Sequence, residues 1–361
     1  MHNFSLSRII LTFILLILIF IFSPFNFTKT NDNFFDNKII CKALVENVTS
    51  SNSDTNSKVK LIISEGKYKG KEFTLENTLV VNDSELKLKS NDFVQVLIET
   101  DSNGNLNAQI YNYYREKTLC LLVSFFILLV LIIGGIKGLY SILSIFFNIC
   151  IIYMILLPGL LSGYNPIKLT IICCLFISFF SLFIQDGFNK KTISCLIGTI
   201  GGVLIAGIVT HIMNNSLHVS INSEEFTALT RYSQNIQFDF QGILFSSIVI
   251  GALGANLDMS MSIATSMNEI KESNPNIPKQ LLIKSGLSVG RDVIGTMSNT
   301  LILAYVGSAL VSLMIFLGYN INFSYIINLQ DISVEILRSL AGSIGIILSV
   351  PLTVFTRAYM K

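Results

Sequence analysis

Apolar residues in this chain are gathered into runs of about 20, separated by short polar loops and by one long polar segment. A helix of that length crosses a hydrocarbon core about 30 Å thick. The pattern therefore predicts an α-helical integral membrane protein with about eight transmembrane helices. The predicted spans lie near 9–27, 118–136, 139–158, 167–185, 193–214, 241–267, 288–317 and 336–357.

Residues 32–115 differ from the rest because they are rich in Asn, Ser, Lys and Asp. Short β-like runs bounded by turn residues predict a small all-β domain inserted after the first helix. Five short strands in about 80 residues are typical of a small barrel, including OB-like ones, which host many functions. The predicted strands are Lys38–Val48, Lys58–Ser64, Glu72–Leu75, Asp92–Ile98 and Leu106–Tyr113.

These patterns predict three domains: an N-terminal anchor at 1–31, the β-domain at 32–115 and a seven-helix membrane domain at 116–361. The first apolar run is interpreted as an uncleaved signal anchor, because no A-x-A-like site follows it. A cleaved signal peptide is the alternative. LIGTIGGVL at 196–204 is similar to LAGSIGIIL at 340–348, which suggests two inverted three-helix repeats within 139–358, a transporter construction. Chance similarity between Gly-rich apolar stretches is the competing explanation.

Lysine and arginine in the short loops predict the orientation, since cytoplasmic loops carry an excess of them. The prediction places both termini in the cytoplasm and residues 32–115 outside, with the chain in the cell (plasma) membrane. The richer side carries Arg8, Lys137, Lys190, Lys191, Lys271, Lys279, Lys284, Arg357 and Lys361, and the other only Lys168, Arg231 and Arg338.

Composition excludes several classes of protein. Hydrophobic residues make up 51% of the chain and charged residues 13%, against about 25% charged in soluble domains. A net charge of +2 gives no electrostatic footprint for nucleic acid. The six cysteines have no C-x-x-C spacing, so neither a disulfide framework nor a zinc site is predicted. No P-loop, H-E-x-x-H or G-x-S-x-G occurs, so no catalytic residue, metal, cofactor or enzymatic activity is predicted.

Candidate chemistry lies in two polar segments within apolar surroundings, Gly251–Ile270 and Ser285–Ser308. They contain Asp258, Arg291 and Asp292, and charges at membrane depth usually face a protein interior or a water-filled path. Helical spacing predicts two polar stripes that face each other, with Asp258 paired to Arg291. The stripes are Gly251, Ala255, Asp258, Ser262, Thr265 and Glu269 on one helix, and Ser288, Asp292, Gly295 and Asn299 on the other.

The substrate-binding hypothesis assigns Asp258 as a coordinating or proton-carrying carboxylate and Arg291 as the group that orients it or holds an anion. Asp292 lies beside them, and Asn299, Ser262 and Thr296 would supply neutral ligands. The competing interpretation is structural. All three charges would then lie at the cytoplasmic membrane interface, where polar side chains cost little.

Four segments resemble the YibE/F family of bacterial membrane proteins. They are GALGANLDMSMSIATSMNEI at 251–270, the run from NPNIPKQ to LAYVGS at 274–308, YSQNIQFDFQGILF at 232–245 and GSIGIILSVPLT at 342–353. GKYKGKEFTLEN and IYNYYR are similar, more weakly, to the family's outer domain. Where the family usually has Val and Met before the aspartate, this chain has Asn256 and Leu257. The resemblance implies a multi-pass membrane protein, sometimes described as a transporter, and adds little chemistry.

Transport of a small ion or solute between the helices at 241–267 and 288–317 is the function that the polar segments favour. Its partners would be the lipid bilayer and the solute, and a homo-oligomer or an envelope protein partner is left open. The alternatives are a non-transporting envelope scaffold that works through its β-domain, and an intramembrane aspartyl protease built on Asp258 and Asp292. Arg291 argues against the protease, because two catalytic carboxylates must share a proton.

Overall fold

A computed structural model describes residues 38–49, 58–76, 88–100, 106–218, 229 and 237–360. The chain divides into two compact units, with the boundary between Ile133 and Gly134. The first unit contains an antiparallel sheet and the second contains most of the helices. The predicted anchor at 1–31 lies outside the described residues.

The sheet has five antiparallel strands in the order β3-β2-β1-β4-β5, with all neighbours antiparallel. Alternation explains its formation: in β2, Val59, Leu61 and Ile63 are buried, whereas Lys60 and Ile62 between them are half-buried on the other face. The five predicted strands are confirmed, and the edge strands β3 and β5 approach each other, so that the sheet is a half-barrel. The strands are β1 Lys38–Thr49, β2 Lys58–Ile63, β3 Glu72–Glu76, β4 Phe93–Thr100 and β5 Leu106–Tyr113.

Helices make up the rest of the described chain. Five helical stretches are long and apolar enough to cross a membrane. The number is six if Lys279–Ser308 and Leu310–Gly318, which meet at an angle of 59°, form one span. The helices are α1 Glu116–Ile151, continued by a π-helical turn Ile152–Leu156 and α2 Leu157–Leu161, then α3 Pro166–Asp186, α4 Lys190–Leu217, α5 Phe240–Ser273, α6 Lys279–Ser308, α7 Leu310–Gly318, α8 Phe323–Asn328 and α9 Gln330–Tyr359.

The first helical stretch, Glu116–Leu161, is 46 residues long, about 69 Å at 1.5 Å per residue. That exceeds one hydrocarbon core about 30 Å thick. Gly135 interrupts it with φ 53° and ψ −130°, a conformation that residues with a side chain rarely adopt. The interruption falls at the end of the predicted span 118–136. Eight spans are therefore not confirmed, although the stretch is long enough for two.

Small residues repeat every fourth position on α4, α5 and α9, and these three helices pack together there. Small side chains allow backbones to approach closely, which is how helices associate in apolar surroundings. This small-residue core is buried throughout. It consists of Gly198, Gly202 and Ala206 on α4, Ala252, Asn256, Ser260 and Ala264 on α5, and Ala341, Gly345, Ser349 and Thr353 on α9.

Helices α4 and α9 cross antiparallel at their glycines. A Cβ added at Gly198 would lie 1.8 Å from Thr353 Oγ1, and one added at Gly202 would lie 2.8 Å from the Gly345 carbonyl oxygen. The similar segments 196–204 and 340–348 therefore lie on helices that contact each other directly. An inverted repeat of three helices remains a prediction.

Candidate functional site

Helix α5 carries the predicted aspartate near its midpoint. Asp258 lies 18 residues after the first residue of the helix and 15 before the last. Asp258 is exposed, as are Gly251 and Glu269 on the same predicted stripe. The stripe meets α6 at Gly251, next to Tyr305, and Ala255 and Ser262 of the same stripe are half-buried. The face that packs against α4 and α9 contains Asn256 and Ser260 instead.

Helix α6 also presents its predicted polar residues outward. Arg291, Asp292, Thr296 and Asn299 are all exposed, whereas Ser262 on α5 is half-buried. A Cβ added at Gly295 would meet no atom within 4 Å, and the same is true of Gly254 on α5. The described chain therefore leaves the exposed residues of both faces uncovered, whereas Ser298 Oγ of α6 is buried without a partner.

Two contacts set the register between α5 and α6. A Cβ at Gly286 would lie 2.7 Å from Met267 Sδ, and one at Gly251 would lie 2.6 Å from the Tyr305 hydroxyl oxygen. The helices thus run antiparallel, and these contacts place Asp258 roughly level with Thr296 and more than one turn from Arg291.

The predicted partners of Asp258 consequently divide into two sets. Thr296 and Asn299 lie near its level, which keeps them available as neutral ligands of one site. Arg291 and Asp292 lie more than one turn away and form the second set. No ion pair joins Asp258 to Arg291, and no hydrogen bond joins it to Asp292. The ion pair expected from the sequence is absent.

A charged cluster that the sequence analysis missed lies where α9 contacts α5 and α6. Arg338 Nη1 on α9 contacts Glu335 Oε1 at 2.6 Å, and its Nη2 donates to Ser247 Oγ on α5 at 3.4 Å. The guanidinium lies over the Tyr305 ring of α6 at 5.6 Å. Glu335 Oε2 and Arg338 Nε are buried without a partner. Their spacing of three residues is the signal that could have revealed the pair.

We call the polar residues described on α5 and α6, together with the Arg338–Glu335 pair of α9, the α5–α6 polar face. It extends from the Arg338–Glu335 pair, past Tyr305 and Gly251, to the level of Asp258 and Thr296, and then towards Arg291. Carboxylate, hydroxyl and amide oxygens at the Asp258 level can coordinate a cation, and the carboxylate can carry a proton. This face is the candidate site.

The opposite face of α5 is polar without being open. Asn256 Nδ2 donates to the Ala252 carbonyl at 2.8 Å, while Asn256 Oδ1, Ser260 Oγ and Thr199 Oγ1 are buried without a partner. A Cβ added at Gly202 would lie 2.2 Å from Asn256 Oδ1. A Cβ added at Gly198 would likewise lie 2.9 Å from Ser260 Oγ, so these two oxygens lie close to glycines of α4.

The described part of the sheet carries an exposed ion-pair group, Lys60 with Glu46 at 2.7 Å and Glu72 at 2.9 Å, and a second polar cluster around Lys42. Lys42 Nζ pairs with Glu65 at 2.9 Å and lies 4.9 Å and 4.4 Å from the ring centres of Phe93 and Tyr114. The Tyr114 hydroxyl donates to Glu116 Oε2 at 2.5 Å, which is the main reason why the pKa of Tyr114 rises to about 12. The chain's own lysine therefore occupies one face of each ring.

The cysteines, the possible metal ligands and the apolar groove were the remaining candidates for a site like the one on the α5–α6 polar face. The six cysteines form no disulfide, and no group of three His, Cys, Asp or Glu side chains in the described ranges could hold a metal ion. A groove of about 310 Å³ between α3, α4 and α5 is almost entirely apolar.

A family model described as YibE/F-like protein matches residues 122–361, which are about two thirds of the chain. The matched region includes all residues of the α5–α6 polar face and leaves out the sheet. No curated protein and no solved structure matches the chain significantly.

Proposed function

The chain belongs to the YibE/F-like family, and we propose that it is a multi-pass protein of the cell membrane that moves a small ion or polar solute. One observation carries the proposal: Asp258 lies near the middle of a membrane-length helix, on a face that the described chain does not cover. Charged groups at that depth are rare and mark ion or substrate pathways.

Physical cost supports a wetted path rather than a lipid-facing one. A central aspartate costs at least about 2.5–3.5 kcal/mol in a bilayer on insertion scales. Asp258 has neither an ion-pair partner nor a side-chain hydrogen bond within the described chain. Water beside α5, held between this face and whatever covers it, would remove most of that cost.

The proposed path follows the α5–α6 polar face. Asp258 would bind the cation or carry the proton, with Ser262, Thr296 and Asn299 as neutral ligands near its level. Arg291 and Asp292 would form a second polar station more than one turn away. The Arg338–Glu335 pair would bound the path at the other end.

The orientation from the loop charges is part of the proposal. It puts the beginning of α4 and the ends of α5 and α9 in the cytoplasm, and residues 32–115 outside. Cysteine introduced at Asn52 should react with an impermeant thiol reagent added to intact cells, and cysteine at Ser273 should not. Reversed labelling would invert the orientation and leave the path unchanged.

Flux through reconstituted vesicles tests the transport itself. Vesicles with the wild-type protein should pass at least one member of a panel of protons, monovalent and divalent cations and small anions, beyond protein-free vesicles. Asp258→Asn should abolish that flux. Asp331→Asn removes an exposed carboxylate from the first turn of α9, one turn before Glu335 and without an ion pair among the described residues, and should leave the flux unchanged.

Thiol accessibility tests whether the face is wet, independently of the solute. In a cysteine-free background, Ser262→Cys and Thr296→Cys should react with a water-soluble thiol reagent. Ile208→Cys serves as the matched control, because Ile208 is 59% exposed on the apolar surface of α4. Unreactive thiols at 262 and 296, together with absent flux, would leave the envelope-scaffold hypothesis ahead.

A further inference from the structure

A basic pocket of about 540 Å³ lies at the end of the helical unit where α4 begins and α5 and α9 end. It shares no residue with the α5–α6 polar face and plays no part in the proposed path. Its lining residues are Asn189, Lys190, Lys191, Asn268, Glu272 and Arg357.

The first observation is the positive end of a long helix. Helix α4 has 28 residues and starts at Lys190, with Asn189 as its N-cap. The Asn189 side chain accepts from the Thr192 backbone N–H at 2.8 Å. The first N–H groups of a helix lack acceptors within it, and those of Lys190 and Lys191 have no acceptor among the described residues. This is the arrangement that binds phosphate at helix N-termini.

The second observation is independent and points to a ligand. Arg357 is only 4% exposed, and it lines this pocket. Its Nη2 donates to Asn268 Oδ1 at 2.6 Å, but Nε and Nη1 have no partner. Leaving buried donors of a charged group unsatisfied is costly. A guanidinium with two free donors is suited to two oxygens of one phosphate.

The surrounding charge is unbalanced in the same direction. Lys191 is paired with Asp186 at 2.9 Å, and Glu272 accepts from Asn268 Nδ2 at 2.6 Å without forming an ion pair with Arg357. Lys190 has no acidic partner among the described residues. Lys271 Nζ donates to the Met360 carbonyl oxygen at 3.1 Å and adds a further positive charge at this end of the helices.

We propose that this pocket binds a phosphate group, held by Arg357, Lys190 and the first N–H groups of α4. The same chemistry is offered by free phosphate and by the headgroup of an anionic phospholipid. The pocket's place at the helix ends is compatible with both sources, so the experiment must separate them.

Thermal unfolding of the purified full-length chain provides the measurement, with a thiol-reactive dye reporting exposure of the buried Cys173, Cys174 and Cys195. One arm adds inorganic phosphate at constant ionic strength, with chloride as the comparison, to protein in neutral detergent. The other compares nanodiscs of phosphatidylcholine with nanodiscs containing one quarter phosphatidylglycerol. Saturable stabilisation in the first arm identifies free phosphate, and in the second arm alone a headgroup.

Lys190→Gln should raise the concentration needed for half-maximal stabilisation about tenfold, the effect of one charge-assisted hydrogen bond. Arg357→Gln should abolish the effect if that variant folds. Lys190 is exposed, so its variant is expected to fold in any case. Lys284→Gln removes an exposed lysine of α6 outside the pocket and should leave the concentration unchanged. Absent stabilisation in both arms, or equal behaviour of the two lysine variants, would overturn the proposal.

Discussion

The two faces of α5 differ in the kind of polar residue they carry and in whether that residue is buried. The inner face, with Asn256 and Ser260, is polar but neutral and is closed against glycine backbone on α4 and α9. The outer face carries Asp258 near the same level and leaves it exposed. Within one helix, then, neutral polar groups are used for close packing, and the charge is kept where the described chain does not seal it. This separation is the reason for assigning structure to one face and transport to the other.

The strongest test of the inner face adds volume where the helices touch. Gly202→Val should remove most of the folded protein, because its Cβ would lie 2.2 Å from Asn256 Oδ1 and 2.8 Å from a carbonyl oxygen of the backbone. Overpacking commonly costs about 1–3 kcal/mol and more where backbone must move. Folded yield after size-exclusion chromatography measures the loss.

Gly254→Val is the matched control for Gly202→Val, since it lies on α5 where an added Cβ meets nothing within 4 Å. Its folded yield should equal that of the wild type. Equal yields from both valine variants would show that the close contact between α4 and α9 is not required.

Exchanging Asn and Asp between the two faces alters charge with almost no alteration of shape. Asn256→Asp should lower stability by roughly 3–5 kcal/mol, because it leaves an unpaired charge in a buried site. Asp258→Asn should alter stability by no more than about 0.5 kcal/mol, as is usual for exposed positions. Unfolding followed by the thiol-reactive dye compares them. A larger loss from Asp258→Asn would mean that the outer face is closed in the folded protein.

Most of the fold could be predicted because its signals are local. Each β-strand was found within two residues from alternation and turn chemistry, and the apolar runs located the long helices. The number of spans could not be predicted in the same way, because Glu116–Leu161 continues as one helical stretch through its break at Gly135.

The choice of the buried face on α5 could not be settled locally. Gly251, Ala255 and Asp258 form a small, polar stripe, and so do Ala252, Asn256 and Ser260, one position along. Which stripe is buried depends on its partners. The four-residue repeats Gly198–Gly202–Ala206 and Ala341–Gly345–Ser349 were the available signal, because small residues on three helices can pack together.

The Arg338–Glu335 pair was missed because Arg338 was counted as a residue at a loop edge. Glu335→Gln should cost about 1–2 kcal/mol, less than the 3–5 kcal/mol of a fully buried pair, since the side chains are 23% and 25% exposed. Asp331→Asn, on the same helix without an ion pair, is the control and should have no effect on the melting temperature. Equal effects of the two substitutions on the melting temperature would show that the ion pair does not hold these side chains in place. The pair would then no longer be assigned to the boundary of the path.

The smallest expected effect is a coupling energy near zero between Asp258 and Arg291. Because no ion pair joins them, Asp258→Asn and Arg291→Gln should change stability additively, within about 0.5 kcal/mol. The cycle of Glu335→Gln and Arg338→Met is the positive control. Its 2.6 Å contact should give a coupling above about 0.5 kcal/mol, as residues in contact do. A comparable coupling for Asp258 and Arg291 would mean that the two charges pair in the membrane. The outer face would then be internally neutralised, like the inner one, and the contrast between the two faces of α5 would no longer support a path.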